Sequence, residues 1–566
     1  MQGISPDQTS EALIAAYLAD LFAMHPYIAS KAGLHHLDGQ VADWSASGIA
    51  RRLAALVRYQ ALLVPLAAEP CLLHAAHDGA PRLHAGDLTR WDARLVLANL
   101  RSERFFWEVW RPHQTNPLIY LPLLDVSGYV KRPYAPLGER LSALVRHCTA
   151  IPDVLAVARF HLRPQLAQIL LQQSIATYES VARFHTMDLV AMMQQVADPA
   201  LLGAFSRANR AAVAAYRSFI GILRGRLLHA TPAVGLGATH LQGMLAANEM
   251  VDLTPEALLA LGEADLAKNH ARIVEVAARL GTTPAQAIDT MGRNHPPPET
   301  ILDHARRLNE EIRQFVIERD LVTVPDESRC LVQATQPYMR NGSAYMDVPG
   351  PLETAKLDAY YYLTMADPAW TPAQKEAWLA KQSIPGLANT CIHEAWPGHF
   401  LQFLHLRRAM TIASKLFTCT SFVEGWAHYA EQMLVEQGYH ADDPHFELQQ
   451  LSMALLRDSR FLVALHLHAG SMGVDEAARF ITREAFFTPM RAQQEALRGA
   501  RAPGYLNYTL GKLLLLRLRA DLQQRHPAWS LRMLHDTLLA FGGPPIPLLR
   551  EMLLGESPMV TSPAEH

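Results

Sequence analysis

The chain has 566 residues, 51 Lys and Arg against 54 Asp and Glu, a formal net charge of −3, and 26 His. Without a basic excess there is little to gain from counterion release along a phosphate backbone, which argues against nucleic acid as a partner. Half of the residues are hydrophobic and 19% are charged, which excludes intrinsic disorder, and the length points to two lobes or one large helical fold.

Residues 1–20 lack a basic segment followed by an apolar stretch and a small-residue cleavage site, so no secretory signal is read and the expected location is the cytoplasm. Leu and Ala recur at i, i+3 and i+4 through 11–21, 49–63, 88–100 and 164–178, the period of an amphipathic helix. The apolar run 61–68 ends far short of the roughly 18 residues that a membrane helix needs, so no membrane partner is expected. Gly235-Leu236-Gly237 lacks the rest of a dinucleotide fingerprint and follows no clear strand. Thr254-Pro255-Glu256 reads as an N-cap with Pro at the first helical position and predicts a helix running toward Leu261. Proline-bearing segments at 295–298 and 324–327 predict loops. A boundary near 325–330 is expected between an N-terminal helical lobe, 1–330, and a catalytic lobe, 331–566. Strand-like sequence is scarce, with candidates at 330–333 and in the aromatic stretch 360–363. Cys71, Cys148, Cys330, Cys391 and Cys419 are odd in number and hold no CxxC, so neither a disulfide framework nor a cysteine zinc site is expected.

The densest chemistry lies in Cys391-Ile392-His393-Glu394-Ala395-Trp396-Pro397-Gly398-His399-Phe400-Leu401-Gln402. A His-Glu pair followed by a second His is how zinc peptidases place two ligands and a general base on one helix. The usual spacing of four keeps both rings on one face, whereas the spacing of six here turns them about 120° apart on a regular helix. Pro397 resolves the conflict. It cannot donate the helical bond and would clash with the His393 carbonyl, and Gly398 allows the backbone to bulge, so two residues can loop out and return His399 to the face of His393. A third ligand would leave zinc one open position. Glu424 is the candidate, 25 residues after His399, on a stripe shared with His428 and Glu431 and opposite Phe422, Val423, Trp426, Ala430 and Met433.

His-Glu-Ala-Trp-Pro-Gly-His-Phe-Leu-Gln at 393–402 and Glu-Gly-Trp-Ala-His-Tyr-Ala-Glu at 424–431 resemble the two signatures of the domain of unknown function 885 family of bacterial proteins, grouped with gluzincin-like zinc metallopeptidases. Gly33-Leu34-His35-His36-Leu37-Asp38, Leu253-Thr254-Pro255-Glu256, Arg460, Pro503-Gly504, Tyr508, Gly511, Leu518-Arg519 and His535-Asp536 are similar to further stretches of it, in order. The resemblance implies a mainly α, large helical zincin-like fold with a small β element near the active site. It implies His393, His399 and Glu424 as zinc ligands, Glu394 as general base, His468 and Tyr508 as catalytic hydrogen-bond donors, and Arg519 as a substrate contact. The chain departs from the family pattern at Tyr505, where Gln is usual, at Gly499, where Tyr is usual, at Ala464, which replaces an acidic residue, and at Met472, which replaces an aromatic one.

Gln402 and His428 are the candidates for holding the ligands from behind. An edge strand carrying Tyr361 is expected to pair with an extended peptide. His405, His466 and His535 read as structural or exposed. The expected function is a zinc-dependent metallopeptidase acting on short peptides through a metal-activated water. Two alternatives stay open: a hydrolase of a non-peptide amide or small-molecule conjugate, and a non-catalytic helical binding protein that retains the motif. The expected partner is a peptide or small amide, and the oligomeric state is left open.

Overall fold

The computed structural model describes residues 6–68, 71, 73–75, 81–232, 235–325, 329–336 and 344–555. The chain is mainly helical, and its internal contacts divide it into two units, one of 1–70, 89–234 and 349–357, the other of 71–88, 235–348 and 358–566. The division at 234/235 differs from the boundary expected near 325–330. The Pro-rich segment at 295–298 only joins helices Pro284–Arg293 and Ile301–Glu318 within the second unit. The loop expected at 324–327 lies partly outside the described residues.

In the first unit, helices Pro6–Met24, Ala46–Ala68, Leu137–His161, Gln168–Thr186 and Pro199–Arg226 carry the periodic apolar faces. Its core gathers Trp44, Trp107, Tyr120, Leu144, Tyr178 and Tyr216, all nearly or fully buried. Arg52 binds Glu103 with two hydrogen bonds of 2.7 Å, a bidentate pair that leaves neither charge uncompensated in the interior. The short return 349–357 joins this unit because Gly350 passes so close to the helix Pro26–Ala32 that a Cβ would lie 2.3 Å from the Ala32 carbonyl carbon. Among the described residues, Leu137–His161 is long and apolar enough to cross a membrane by length and composition, unlike the 61–68 run, and half of its apolar window is buried within the protein.

In the second unit, Thr254 caps the helix Pro255–Arg279 as its sequence predicts, accepting from Ala257 N at 3.2 Å. That helix lies along Pro444–Ala469, so closely that a Cβ on Gly262 would meet Phe461 Cδ1 at 2.4 Å. Helix Thr420–Glu436 crosses Asn507–Arg525 at Gly425 and Gly511, where a Cβ on Gly511 would sit 1.7 Å from the Ser421 carbonyl oxygen. Backbones this near bring whatever flanks the crossing together, here Glu424 on one helix and Tyr508 and Lys512 on the other. A three-stranded sheet orders Cys330–Ala334, Ala359–Leu363 and Ala344–Asp347, with Ala359–Leu363 in the centre, parallel to the first and antiparallel to the last.

That order corrects the expected peptide-pairing strand. With a neighbour on each side, Ala359–Leu363 has no free edge to offer, and alternation turns Tyr361 into the interior, fully buried.

Candidate metal site

Helix Ile384–Glu394 is capped by Ser383 and ends at Glu394, and a new helix begins at His399. Between them Ala395 N and Trp396 N both turn back to Cys391 O, at 2.8 and 3.2 Å, and Gly398 N reaches Ile392 O at 3.0 Å. The Trp396–Pro397 peptide is cis. Pro397 O accepts from Trp426 Nε1 at 2.8 Å, which ties the loop to the helix that carries Glu424. Gly398 is obligatory, since a Cβ there would lie 2.0 Å from His393 O. The loop-out returns the second ring to the first: the His393 and His399 centroids are 4.8 Å apart.

Glu424 completes the group. One ligand atom from each of His393, His399 and Glu424 falls within 4.8 Å of the others. Glu424 Oε2 stands 3.6 Å from His393 Nε2 and 3.5 Å from His399 Nε2. These gaps are long for hydrogen bonds, and Glu424 Oε2, although buried, makes none among the described residues. They match the spacing of about 3.4 Å that ligands at about 2.05 Å from a tetrahedral ion adopt. The donor set of two imidazoles and a carboxylate therefore fits a zinc ion by type, and by separation in its two carboxylate–imidazole pairs.

Behind the triad, His393 Nδ1 donates to Glu431 Oε1 at 2.7 Å. Arg457 clamps the same carboxylate with 2.7 and 3.0 Å bonds. Arg457 Nη2 also approaches His393 Nδ1 at 3.2 Å, but both atoms are donors once Nδ1 serves Glu431, so this is packing rather than a bond. The hydrogen bond fixes the tautomer that leaves Nε2 facing Glu424 and His399. Burial lowers the His393 pKa, but Glu424 and Glu431 more than offset it, and the ring rises to about 9. A cation at Nε2 must therefore displace a proton. Glu431 is held well below the usual carboxylate range: burial opposes this, and the Arg457 charge and the His393 bond overcome it.

The side of the site beyond His393 is formed by Tyr508, whose ring lies 6.5 Å from that of His393 and nearly parallel to it. The Arg457 and Arg460 guanidinium carbons stand 5.8 and 5.6 Å from the Tyr508 centroid. Burial, then the Glu424 charge, raises the Tyr508 phenol, which stays protonated and able to donate. Glu394 is half-buried and has no hydrogen-bond partner among the described residues.

Several predicted residues stand elsewhere. His468 donates Nε2–H to Gly499 O at 2.9 Å and lies 11 residues beyond Arg457 on one helix, about 16 Å along its axis, so it does not join the triad. Arg519 binds Tyr429 OH at 3.1 Å and Glu436 at 3.0 Å, and Glu436 is 12 residues, about 18 Å, along its helix from Glu424. Arg519 is thus engaged away from the triad. Tyr361 lies behind the site; burial, then Cys391 and Glu394, push its phenol well up. Gln402 is close in sequence to the triad and buried, but neither of its amide atoms is hydrogen-bonded among the described residues, and neither ring nitrogen of His428 is either. His428 Nδ1 stands 3.9 Å from Glu431 Oε2. The groups that do hold His393 are Glu431 and Arg457. The available signal for Glu431 was its spacing of seven from Glu424, two turns on the same face; for Arg457 it was the charged Arg457-Asp458-Ser459-Arg460 inside an otherwise apolar helix. Two departures from the family pattern meet in space. A Cβ on Gly499 would lie 3.2 Å from Tyr505 Cδ1, so the missing side chain at 499 makes room for the added ring at 505.

No curated protein matches the chain. Among solved structures it is similar to a candidate lipoprotein of unknown function from Shewanella oneidensis, 21% identical with a TM-score of 0.79, covering 98% of this chain and 100% of that one. It is also similar to a candidate lipoprotein from Colwellia psychrerythraea, 17% identical with a TM-score of 0.80, covering 97% and 99%. At these identities the likeness shows a shared fold. The model of the bacterial protein family of unknown function 885 matches residues 26–553, nearly the whole length, and the chain belongs to that family.

Proposed function

We propose that this protein is a zinc-dependent hydrolase of peptide bonds in short peptides. The observation that carries the reading is the convergence of His393, His399 and Glu424, with ligand atoms within 4.8 Å of one another and Glu424 Oε2 3.5–3.6 Å from both imidazole Nε2 atoms, and with Glu394 next to His393 in the chain. Zinc bound there supplies Lewis acidity and lowers the pKa of water toward about 7. Glu394, half-buried and next to His393, takes the proton of the attacking water on a carboxylate oxygen and returns it to the leaving nitrogen, work worth roughly 10² to 10⁴ in rate. Tyr508, kept protonated by its surroundings, donates its O–H to the developing oxyanion. Glu431 and Arg457 hold the His393 ring in place throughout. His468 and Arg519, remote from the triad and already bonded, have no part in this scheme. The cytoplasm is kept as the proposed location.

The test joins metal analysis to a cleavage profile. Purified protein is expected to hold about one zinc per chain and to cleave a library of short peptides, while Glu394→Gln keeps the zinc and loses at least about a hundredfold in rate. A metal-free protein without cleavage activity would leave a non-catalytic helical binder in its place. A zinc-bound Glu394→Gln as fast as the parent would remove the general-base assignment.

A further inference from the structure

Next to Tyr508 the second unit gathers more positive charge than it pairs. Arg460 is bound by both oxygens of Glu495, at 2.9–3.1 Å, and Glu495 also accepts from Tyr505 OH, so that carboxylate is fully engaged. Helix Pro489–Arg501 presents Arg491, Glu495 and Arg498 at i, i+4 and i+7, one face of two turns. The two arginines flanking Glu495 have no carboxylate partner among the described residues. Arg498 is exposed and stands 5.2 Å from the Tyr505 centroid, on a ring that Arg460 approaches at 4.8 Å. Arg491 is half-buried and rests on Phe487 at 3.5 Å. Crowding leaves its mark. Burial, partly offset by Glu495 and reinforced by Arg460, pushes Arg491 down to about 10. Like charges gathered in a partly desolvated setting are unfavourable until an anion joins them. Arg460 links this cluster to the proposed reaction centre: its guanidinium carbon stands 4.8 Å from the Tyr505 centroid and 5.6 Å from that of Tyr508, whose ring lies 6.5 Å from that of His393.

We propose that Arg498 and Arg491 bind a carboxylate of the substrate, so that the preferred substrates are short peptides or amides with a free carboxylate near the bond to be cut. This rests on the hydrolase reading above. A planar guanidinium fork matches a carboxylate in two parallel bonds, and Tyr505, held by Glu495 and fitted beside Gly499, is the platform that sets the height of Arg498. The carboxylate can come from a peptide C-terminus or from an acidic side chain.

The experiment is isothermal titration of the Glu394→Gln protein, with and without added zinc, using three probes: acetyl-Ala-Ala-Phe as the free acid, the same peptide as its C-terminal amide, and acetyl-Ala-Glu-Phe amide. At least one carboxylate probe is expected to bind about tenfold or more tightly than the neutral amide, and which one identifies the source of the carboxylate. Arg498→Gln, at an exposed position that leaves folding intact, is expected to bring that ratio to within about twofold, and Arg491→Gln to reduce it. Equal affinity for all three probes, no binding of any at millimolar concentration, or a ratio unchanged in Arg498→Gln overturns the proposal. Failures are separable. A parent protein that cleaves the acid and the neutral amide equally well keeps the hydrolase and loses the subsite; selective acid binding by a protein without zinc or turnover keeps the subsite and loses the hydrolase.

Discussion

His393 shows how one residue's task is set by groups far away in sequence. Its ring is useful as a ligand only if Nε2 is bare, and Glu431, 38 residues on, secures this by accepting from Nδ1. Removing such a partner from a metal-bound histidine typically costs 10- to 100-fold in metal affinity. Glu431→Gln is expected to weaken zinc binding by about that factor in a chelator competition; an unchanged affinity would mean that packing alone orients the ring. A second buried network lies close by. Lys512 Nζ donates to Asp265 Oδ2 at 2.5 Å, and Asp458 accepts from Asn269 Nδ2 at 2.7 Å and Thr509 Oγ1 at 3.0 Å. Burial and the neighbouring Asp265 push Asp458 up to about 8, so at neutral pH it keeps a proton and Asp265 alone balances Lys512. Lys512→Met strands a buried carboxylate and is expected to cost about 3–5 kcal/mol in urea unfolding. A loss under about 1 kcal/mol would show that water reaches the pair.

At the scale of elements, the site depends on how closely two helices cross. Glycines at 425 and 511 let Thr420–Glu436 and Asn507–Arg525 meet backbone to backbone, which brings Glu424 close enough that its charge raises the Tyr508 phenol. Elsewhere an exposed helical glycine gains from replacement by alanine, by up to about 1 kcal/mol. Here Gly511→Ala must push the helices apart, since the added carbon falls on the Ser421 carbonyl, and the expected outcome is a loss of about 1–3 kcal/mol and a weaker zinc site. Stabilisation by this change would refute the close crossing. The break between Glu394 and His399 is the complementary device. Here Pro and Gly interrupt a helix so that a spacing of six acts as a spacing of four, with Gly398 needed because His393 O occupies the place of any Cβ.

For the whole molecule, acid sensitivity follows from buried neutral histidines. His535 donates Nδ1–H to Leu321 O at 2.6 Å and accepts at Nε2 from Tyr429 OH at 2.7 Å, an arrangement that only the uncharged ring can make. Burial depresses it to about 4 against an unfolded value near 6.5. Its neutral form is bound by the fold, so the contribution is complete above about pH 6.5 and is lost as pH falls toward 4, reaching about 3 kcal/mol. His113 in the first unit is depressed to about 4 as well, by burial and then by the His161 charge, and adds in the same direction. Urea midpoints are expected to drop steeply between pH 6.5 and 4.5, with a shallower drop in His535→Gln; parallel slopes for the two proteins would assign the effect to other groups.

Much of the architecture can be read from short-range pattern. The Leu and Ala period marks the helices, Thr254 its cap, and Cys330–Ala334 and Ala359–Leu363 their strands, because capping and amphipathic burial act within one or two turns of chain. The candidate triad was legible for the same reason. His393, Glu394 and His399 sit in one seven-residue segment whose Pro and Gly announce the loop-out, and Glu424 opens the next charged stripe. Tertiary structure decided the rest. Whether Tyr361 sits on an edge or in a centre depends on the partners its strand finds. Whether Glu431 or His428 holds His393 depends on a rotation of about 60° between two residues of one helix, which the sequence leaves undetermined. Arg519 and His468 carry plausible chemistry in the sequence but lie about 16 Å down their helices from Tyr508 and Arg457 at the site. Conversely, Arg457 comes to His393 across 64 residues, and the unpaired arginines of Pro489–Arg501 gain meaning only beside Tyr505 and Tyr508. Local periodicity sets which residues share a face, whereas long-range packing decides what that face meets.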